Sequence, residues 1–569
     1  MAGPVHYELY LRKTAPSSWS LILATEDRKH AVDTAEELLR DKQAVAVRVT
    51  KETLDPDTME FDSVTVLTRG VPEAPKKRAT AETDQAGCMA PTDLYTPHAR
   101  ALIGRVLEDW LMRNGVTAFE LLHRPDLLER LEASGVEVQH AIQKVAIPES
   151  QATGQPTHEL IRHYQKLVGQ AMERVIVAGR KEIFPDLANR SLADVAQRLA
   201  GSPERSFVMG GVISGALKGL SGARARLNRL MDLADRAPAD GPPRAMVMVV
   251  IEQIMCEQLA TRTSLAEILG PGLDQGGSLA AVVRMVAPRE IDALIRHDPR
   301  MALLMPAVDG PAARLGARLE AGEYPILAAA LARMVLRELM SPRRLRPSDA
   351  AGEIDILRTL ALSLTATAGR LLTLEEVQSA FTERSKSIVT ADFVQAYADP
   401  CETVLCEAEQ LTRLCENVTG VANKRSAARW LAACVTSLRF ETEMRASGPT
   451  AARKLLVLAQ LSRSVRASAL SEHDTEQING AIGQVGGVVE AEARLIAQVS
   501  RAPAPLHQKL AALLRLAAGE TAPLGPAADR ARVEAIRLFR SPETRAALTD
   551  APETIGPLKG LMKAAGLAA

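Results

Sequence analysis

The first seventy residues alternate apolar and polar positions with a period of two. Val5, Tyr7, Leu9 and Leu11 interleave with His6, Glu8 and Tyr10, and Trp19, Leu21 and Leu23 interleave with Ser20, Ile22 and Ala24. This is the pattern of half-buried strands, and Pro16-Ser17-Ser18 supplies a turn between them. A helical stretch over 28–41 follows. Alternation then resumes at Val45, Val47 and Val49, and Asp55-Pro56-Asp57 turns the chain into a last strand over 61–67. The pattern predicts a small α/β domain over 1–72, ββαββ, with one helix on an antiparallel sheet. It has no Gly-rich phosphate loop and no paired catalytic residues, so docking or dimerisation is its expected role.

Residues 73–97 carry Pro, Ala, Thr, Lys and Glu without hydrophobic period, including Pro75-Lys76-Lys77-Arg78, and read as a flexible linker. Beyond them the pattern is helical. Ser-Leu-Ala begins at Ser191, Ser264 and Ser278, each read as an N-cap, and Thr373-Leu374-Glu375-Glu376 is a capping box. No fixed repeat period emerges, which leaves an irregular array of helix hairpins. The run Ser341-Pro342-Arg343-Arg344-Leu345-Arg346-Pro347-Ser348 has two prolines and no period. It divides the large multi-helix body into expected helical domains over 98–345 and 349–569; an anion-binding loop is the other reading. The fold class is therefore mainly α, with a small N-terminal α/β domain.

Composition narrows the function classes. The 569 residues are 47% hydrophobic and 24% charged, which excludes a disordered chain and calls for several domains. Basic and acidic residues balance at 69 each, so no overall field draws the molecule to nucleic acid or an anionic surface. Only 3% of residues are aromatic, few for stacking bases or lining a flat-cofactor site. The Ala and Arg excess suggests a GC-rich bacterial source. Six cysteines are too sparse for a disulfide framework, and the N-terminus has no basic start or apolar run, so a reducing cytoplasm is expected. The longest apolar runs, 245–251 and 326–332, are too short to cross a bilayer, so no membrane insertion is expected.

Few residues suggest chemistry. His158 and His163 stand five apart, about 140° around a helix, where a zinc pair needs a spacing of four. His163 and Lys166 lie one turn apart, where an ammonium could neutralise a phosphorylated imidazole. The Gly-rich stretch 209–219 has Ala216 where a phosphate loop needs Lys; Gly211, Gly215 and Gly219 instead predict a small-residue helix face for close packing. Cys401, Cys406 and Cys415, placed on one helix, would point successive thiols to opposite sides and read as small buried hydrophobes.

One local rule is broken. Ala427, Trp430, Leu431, Cys434 and Leu438 form an apolar stripe on a helix starting near Gly420, which puts Lys424 and Arg425 at the positive end of its dipole. Something negative must compensate. Either an acidic side chain such as Glu416 does so, or Asn423, Lys424, Arg425 and Arg429 form an anion or partner site.

No convergent acid, base, nucleophile or metal set is found, and no cofactor is expected. The chain reads as a non-enzymatic scaffold or regulatory adaptor whose partners are other proteins, with homo-oligomerisation left open. Histidine phosphotransfer through His163 and Lys166 is one alternative, and a helical nucleic-acid-binding regulator, which a neutral chain does not suggest, is the other.

Overall fold

The structure is a computed structural model that describes residues 5–13, 19–54, 61–70, 88–544, 546 and 555–567. It is mainly α-helical with one small antiparallel sheet near the N-terminus. Contacts divide it into two compact units, Met1–Met89 and Ala90–Ala569. Among the described residues, no helix is long and apolar enough to cross a membrane.

The smaller unit is built from β1 (Val5–Arg12), β2 (Ser20–Thr25), α1 (Arg28–Arg40), β3 (Ala46–Leu54) and β4 (Phe61–Gly70). The strands are antiparallel in the order β2-β1-β3-β4. The period-2 pattern aims Leu9 and Leu11 of β1 and Val47 and Val49 of β3 at α1, where Ala31 and Ala35, one turn apart, let the helix sit close. Asp27 starts α1 by accepting from the amides of Lys29 and His30.

The simple alternation fails in β2. Leu9 pairs with Leu23, but Tyr10 pairs with Leu21, so Ile22 is an extra residue in a bulge. Leu21 and Ile22 are exposed while Leu23 joins the core. The expected turns at 16–18 and 55–57 lie outside the described residues, as do Pro75 to Arg78.

The larger unit begins inside the expected linker. Pro91–Tyr95 is a short 3-10 helix with Leu94 buried, and the Tyr95 ring packs edge-on to His123 and Phe207. From there to the C-terminus one main hydrophobic cluster runs from Phe119 to Ala565, with a smaller one from Leu107 to Ile176.

The expected helical domains 98–345 and 349–569 both lie within this unit, and the run between them is anchored. Arg384, 1% exposed, donates to the carbonyls of Ser341 (2.8 Å) and Arg343 (2.7 Å) and to the buried Glu353 carboxylate (2.6 Å). Glu353 in turn accepts from the Leu345 amide at 3.2 Å and from Arg344 Nε at 2.9 Å. Leu345 is fully buried, and its carbonyl accepts from the Gly276 amide.

The Thr373 capping box is present, with both reciprocal bonds to Glu376; Ser191 occupies the N-cap position of Leu192–Leu199 in extended conformation, but its side chain makes no capping hydrogen bond. Ser264 and Ser278 instead lie inside their helices. Thr261 and Asp274, upstream, adopt the extended cap conformation and accept the first free amides, so each helix starts earlier.

The glycine stripe needs correction. The helix Arg205–Gly215 ends before Gly219, which has φ +80°, and nothing stands within 4 Å of a Cβ built on Gly215. Close packing falls on Gly210 and Gly211, where a Cβ would overlap the rings of His123 and Phe184. Rings, not a neighbouring backbone, approach this helix.

Gly211→Ala is therefore expected to lower stability by about 1–3 kcal/mol through overpacking against Phe184. Gly215→Ala should leave stability unchanged or raise it by up to about 1 kcal/mol. Urea midpoints of the two variants check this, and equal shifts would contradict it.

Candidate functional site

The helix with the basic start runs Val421–Val435, preceded by Gly420 at φ +93°, a conformation suited to glycine. Of its predicted apolar stripe, Ala427, Leu431 and Cys434 are buried. Trp430 stays 38% exposed at the margin, donating its indole N–H to the Val389 carbonyl. Leu438 belongs to the next helix, Leu438–Arg445, and is exposed.

The four residues expected at an anion site separate into two pairs. Asn423 is buried and its amide donates to the carbonyls of Thr382 (2.9 Å) and Thr419 (2.7 Å). Lys424 Nζ donates to the carbonyls of Cys415 (2.5 Å) and Ser468 (2.7 Å). Cys415 lies in the last turn of Val404–Asn417, and Ser468 is the C-cap of Ala451–Ala467. The ammonium thus stands at the negative ends of two other helices, which offset the dipole of its own. These carbonyls supply the direct contacts of that balance, and the Glu416 charge adds to it. Burial pulls the Lys424 pKa below the usual lysine range, against the opposing pull of Cys415 and Glu416.

Arg425 and Arg429, by contrast, are exposed. Arg429 lines a shallow groove of about 240 Å³ together with Asp474, Gln477 and Ile478 of the helix Glu472–Ala493. An acidic side chain in the same groove shares the space with the guanidinium.

His163 and Lys166 lie on Thr157–Arg180. The His163 ring is half-buried and edge-on to Tyr164 at 5.4 Å, whose hydroxyl donates to Glu149 on the preceding helix at 2.5 Å. Lys166 is exposed. Tyr164 thus ties this helix to the preceding one.

Three arrangements escaped the sequence reading. On the sheet face away from α1, Arg12 and Arg48 stand 4.8 and 4.6 Å from the Trp19 ring, and Tyr10 donates to Glu8. That bond, before burial, lifts the Tyr10 phenol to about 12. Period-2 alternation places Trp19 on the core side, and the bulge at Ile22 moves it.

The second gathers three aromatic side chains around one histidine. His123 stacks on Phe119 at 4.3 Å, with Tyr95 and Phe207 around it. Nδ1 is 2.7 Å from the Phe119 carbonyl. Burial lowers the His123 pKa to about 4, against the raising effect of that carbonyl and with help from Arg100 and Arg174. Its partners come from five segments, so no sequence window reveals it.

The third corrects the cysteine reading. Cys401 precedes the helix Val404–Asn417 and its N-cap Thr403, so helical spacing does not apply to it. Its Sγ lies 2.9 Å from Cys406 Sγ, while Cys415 is buried. Among the described residues no group of three or more His, Cys, Asp or Glu is placed to hold a metal ion. Comparisons with protein families, curated proteins and solved structures find no match for the chain.

Two measurements follow. Lys424→Met should destabilise by about 1–3 kcal/mol, since it strands two buried helix-end carbonyls. Arg425→Gln and Arg429→Gln should stay within about 0.5 kcal/mol of the parent. Chemical denaturation of the three variants separates the pairs.

His123 gives a pH dependence. Its folded pKa, about 4, lies below the ordinary histidine value, so the unfolded chain binds more protons between the two. This contribution is complete above pH ~6.5 and is lost as pH falls toward ~4, amounting to about 3 kcal/mol at most. Urea unfolding between pH 7 and 4 should show that loss, and His123→Leu should flatten it.

Proposed function

We propose that this chain is a non-enzymatic scaffold or regulatory adaptor that acts by binding other proteins, with the small α/β unit as a docking module. The observation that carries this reading is the employment of its internal charges. Lys424 and Arg384 are aimed at main-chain carbonyls, and Glu252 and Glu443 at the first amides of the helices Pro325–Met340 and Val404–Asn417. Charges used this way hold helices in fixed positions and are not available for turnover, which suits a platform that presents a surface.

Cross-linking in the cells that express it, purification of the full chain, and reconstitution from purified proteins test the reading. The expected result is a discrete complex of fixed stoichiometry between this chain and a partner. Failure of any cross-linked protein to reconstitute, together with acid-labile phosphate on His163 that transfers to an acceptor, would replace it with the phosphotransfer alternative.

A further inference from the structure

Cys401 and Cys406 sit on a turn that the structure holds firmly. The Cys401 amide donates to the Ala398 carbonyl at 2.9 Å, closing the end of the helix Ala391–Ala398. The Cys406 amide donates to Thr403 Oγ1 at 3.1 Å in the first turn of Val404–Asn417. Glu443, from a third helix, accepts from the Val404 amide at 2.7 Å and the Leu405 amide at 3.2 Å. These bonds leave the two sulfurs 2.9 Å apart, and both cysteines are half-buried. A disulfide has its sulfurs about 2.05 Å apart, so roughly 0.9 Å of side-chain movement joins them. The remaining thiols of the helical unit differ: Cys415 and Cys434 are buried, and Cys256 makes no such sulfur–sulfur hydrogen bond among the described residues.

We infer that Cys401 and Cys406 form a reversible intramolecular disulfide, with a peroxide as the oxidant. One thiol, as thiolate, attacks a peroxide oxygen and breaks the O–O bond, giving a sulfenic acid and, after proton uptake, water. The second sulfur attacks the sulfenic sulfur, loses its proton and expels a second water. Two thiols and one hydrogen peroxide thus give one disulfide and two waters, and a dithiol reductant reverses the change. Burial and the contact with Cys406 push the Cys401 thiol up to about 12, so the oxidation accelerates as pH rises. The inference is independent of the scaffold reading.

The test uses the full chain and hydrogen peroxide, followed by denaturation, alkylation of free thiols and mass spectrometry. Two of the six thiols should escape alkylation with a mass loss of two hydrogens, in monomeric protein, and peptide mapping should place both on the 401–406 segment. Dithiothreitol should restore them. Cys401→Ser and Cys406→Ser should each abolish the protected pair and leave a dimedone-reactive sulfenic acid on the remaining cysteine. Equal oxidation of all cysteines, or a protected pair that persists in either variant, overturns the inference. So does conversion of one thiol to sulfinic acid while the other stays free. If a serine variant does not fold, the mapping of the parent protein alone decides.

Discussion

A helix that ends inside a protein leaves up to four amides or four carbonyls without intrahelical partners, and burying them unpaired costs a few kcal/mol each. In this chain, charged side chains from other segments meet part of that requirement. Carboxylates close N-termini: Glu252 takes the Ile326 and Leu327 amides, Glu267 those of Ala223 and Arg224, Glu443 those of Val404 and Leu405. Cations close C-termini: Lys424 on two helices, Arg370 on the Val286 carbonyl, Lys509 on that of Ser500. The signs agree with the helix dipole at each place.

The Glu353–Arg384 pair applies the same rule to irregular backbone. A buried ion pair contributes little net stability against an apolar replacement, because desolvating both charges offsets their attraction. Its effect here is geometric. Each partner holds main-chain groups of the run Ser341 to Arg346 as well as the other charge, so a stretch interrupted by Pro342 and without helical hydrogen bonds has a defined path through the helical unit. Arg346 adds an ion pair to Asp274 at 3.0 Å, and Arg344 stacks over Phe393 at 4.8 Å. The local arginine density that resembled an anion-binding loop is answered by acids and a ring.

The candidate sites show the limits of reading neighbours along a chain. Lys424 was singled out correctly as a cation in the wrong place on its own helix, because dipole sign depends only on position within that helix. Its compensation came from Cys415 and Ser468, and the second lies 44 residues away. Helical offsets separate Cys401 from Cys406, yet Thr403 caps the helix between them and the turn brings the sulfurs together. A Thr directly before the apolar pair Val404-Leu405 is the available signal. Gly210 and Gly211 could not be separated from Gly215 because the rings of His123 and Phe184 that need the space are distant in sequence.

Periodicity and turn chemistry are local properties, and they determined that this protein has a small antiparallel sheet with one helix followed by a mainly helical chain. They also placed the Thr373 capping box and the start of the helix after Gly420. What the tertiary structure alone decided is where each unpaired polar group finds its partner. The bulge at Ile22 sets which side of the sheet Leu21 faces. The anchoring of Ser341 to Arg346 joins helices before and after that run in one unit. Both depend on groups that meet only when distant segments pack, and a one-dimensional pattern carries the requirement for a partner without naming it.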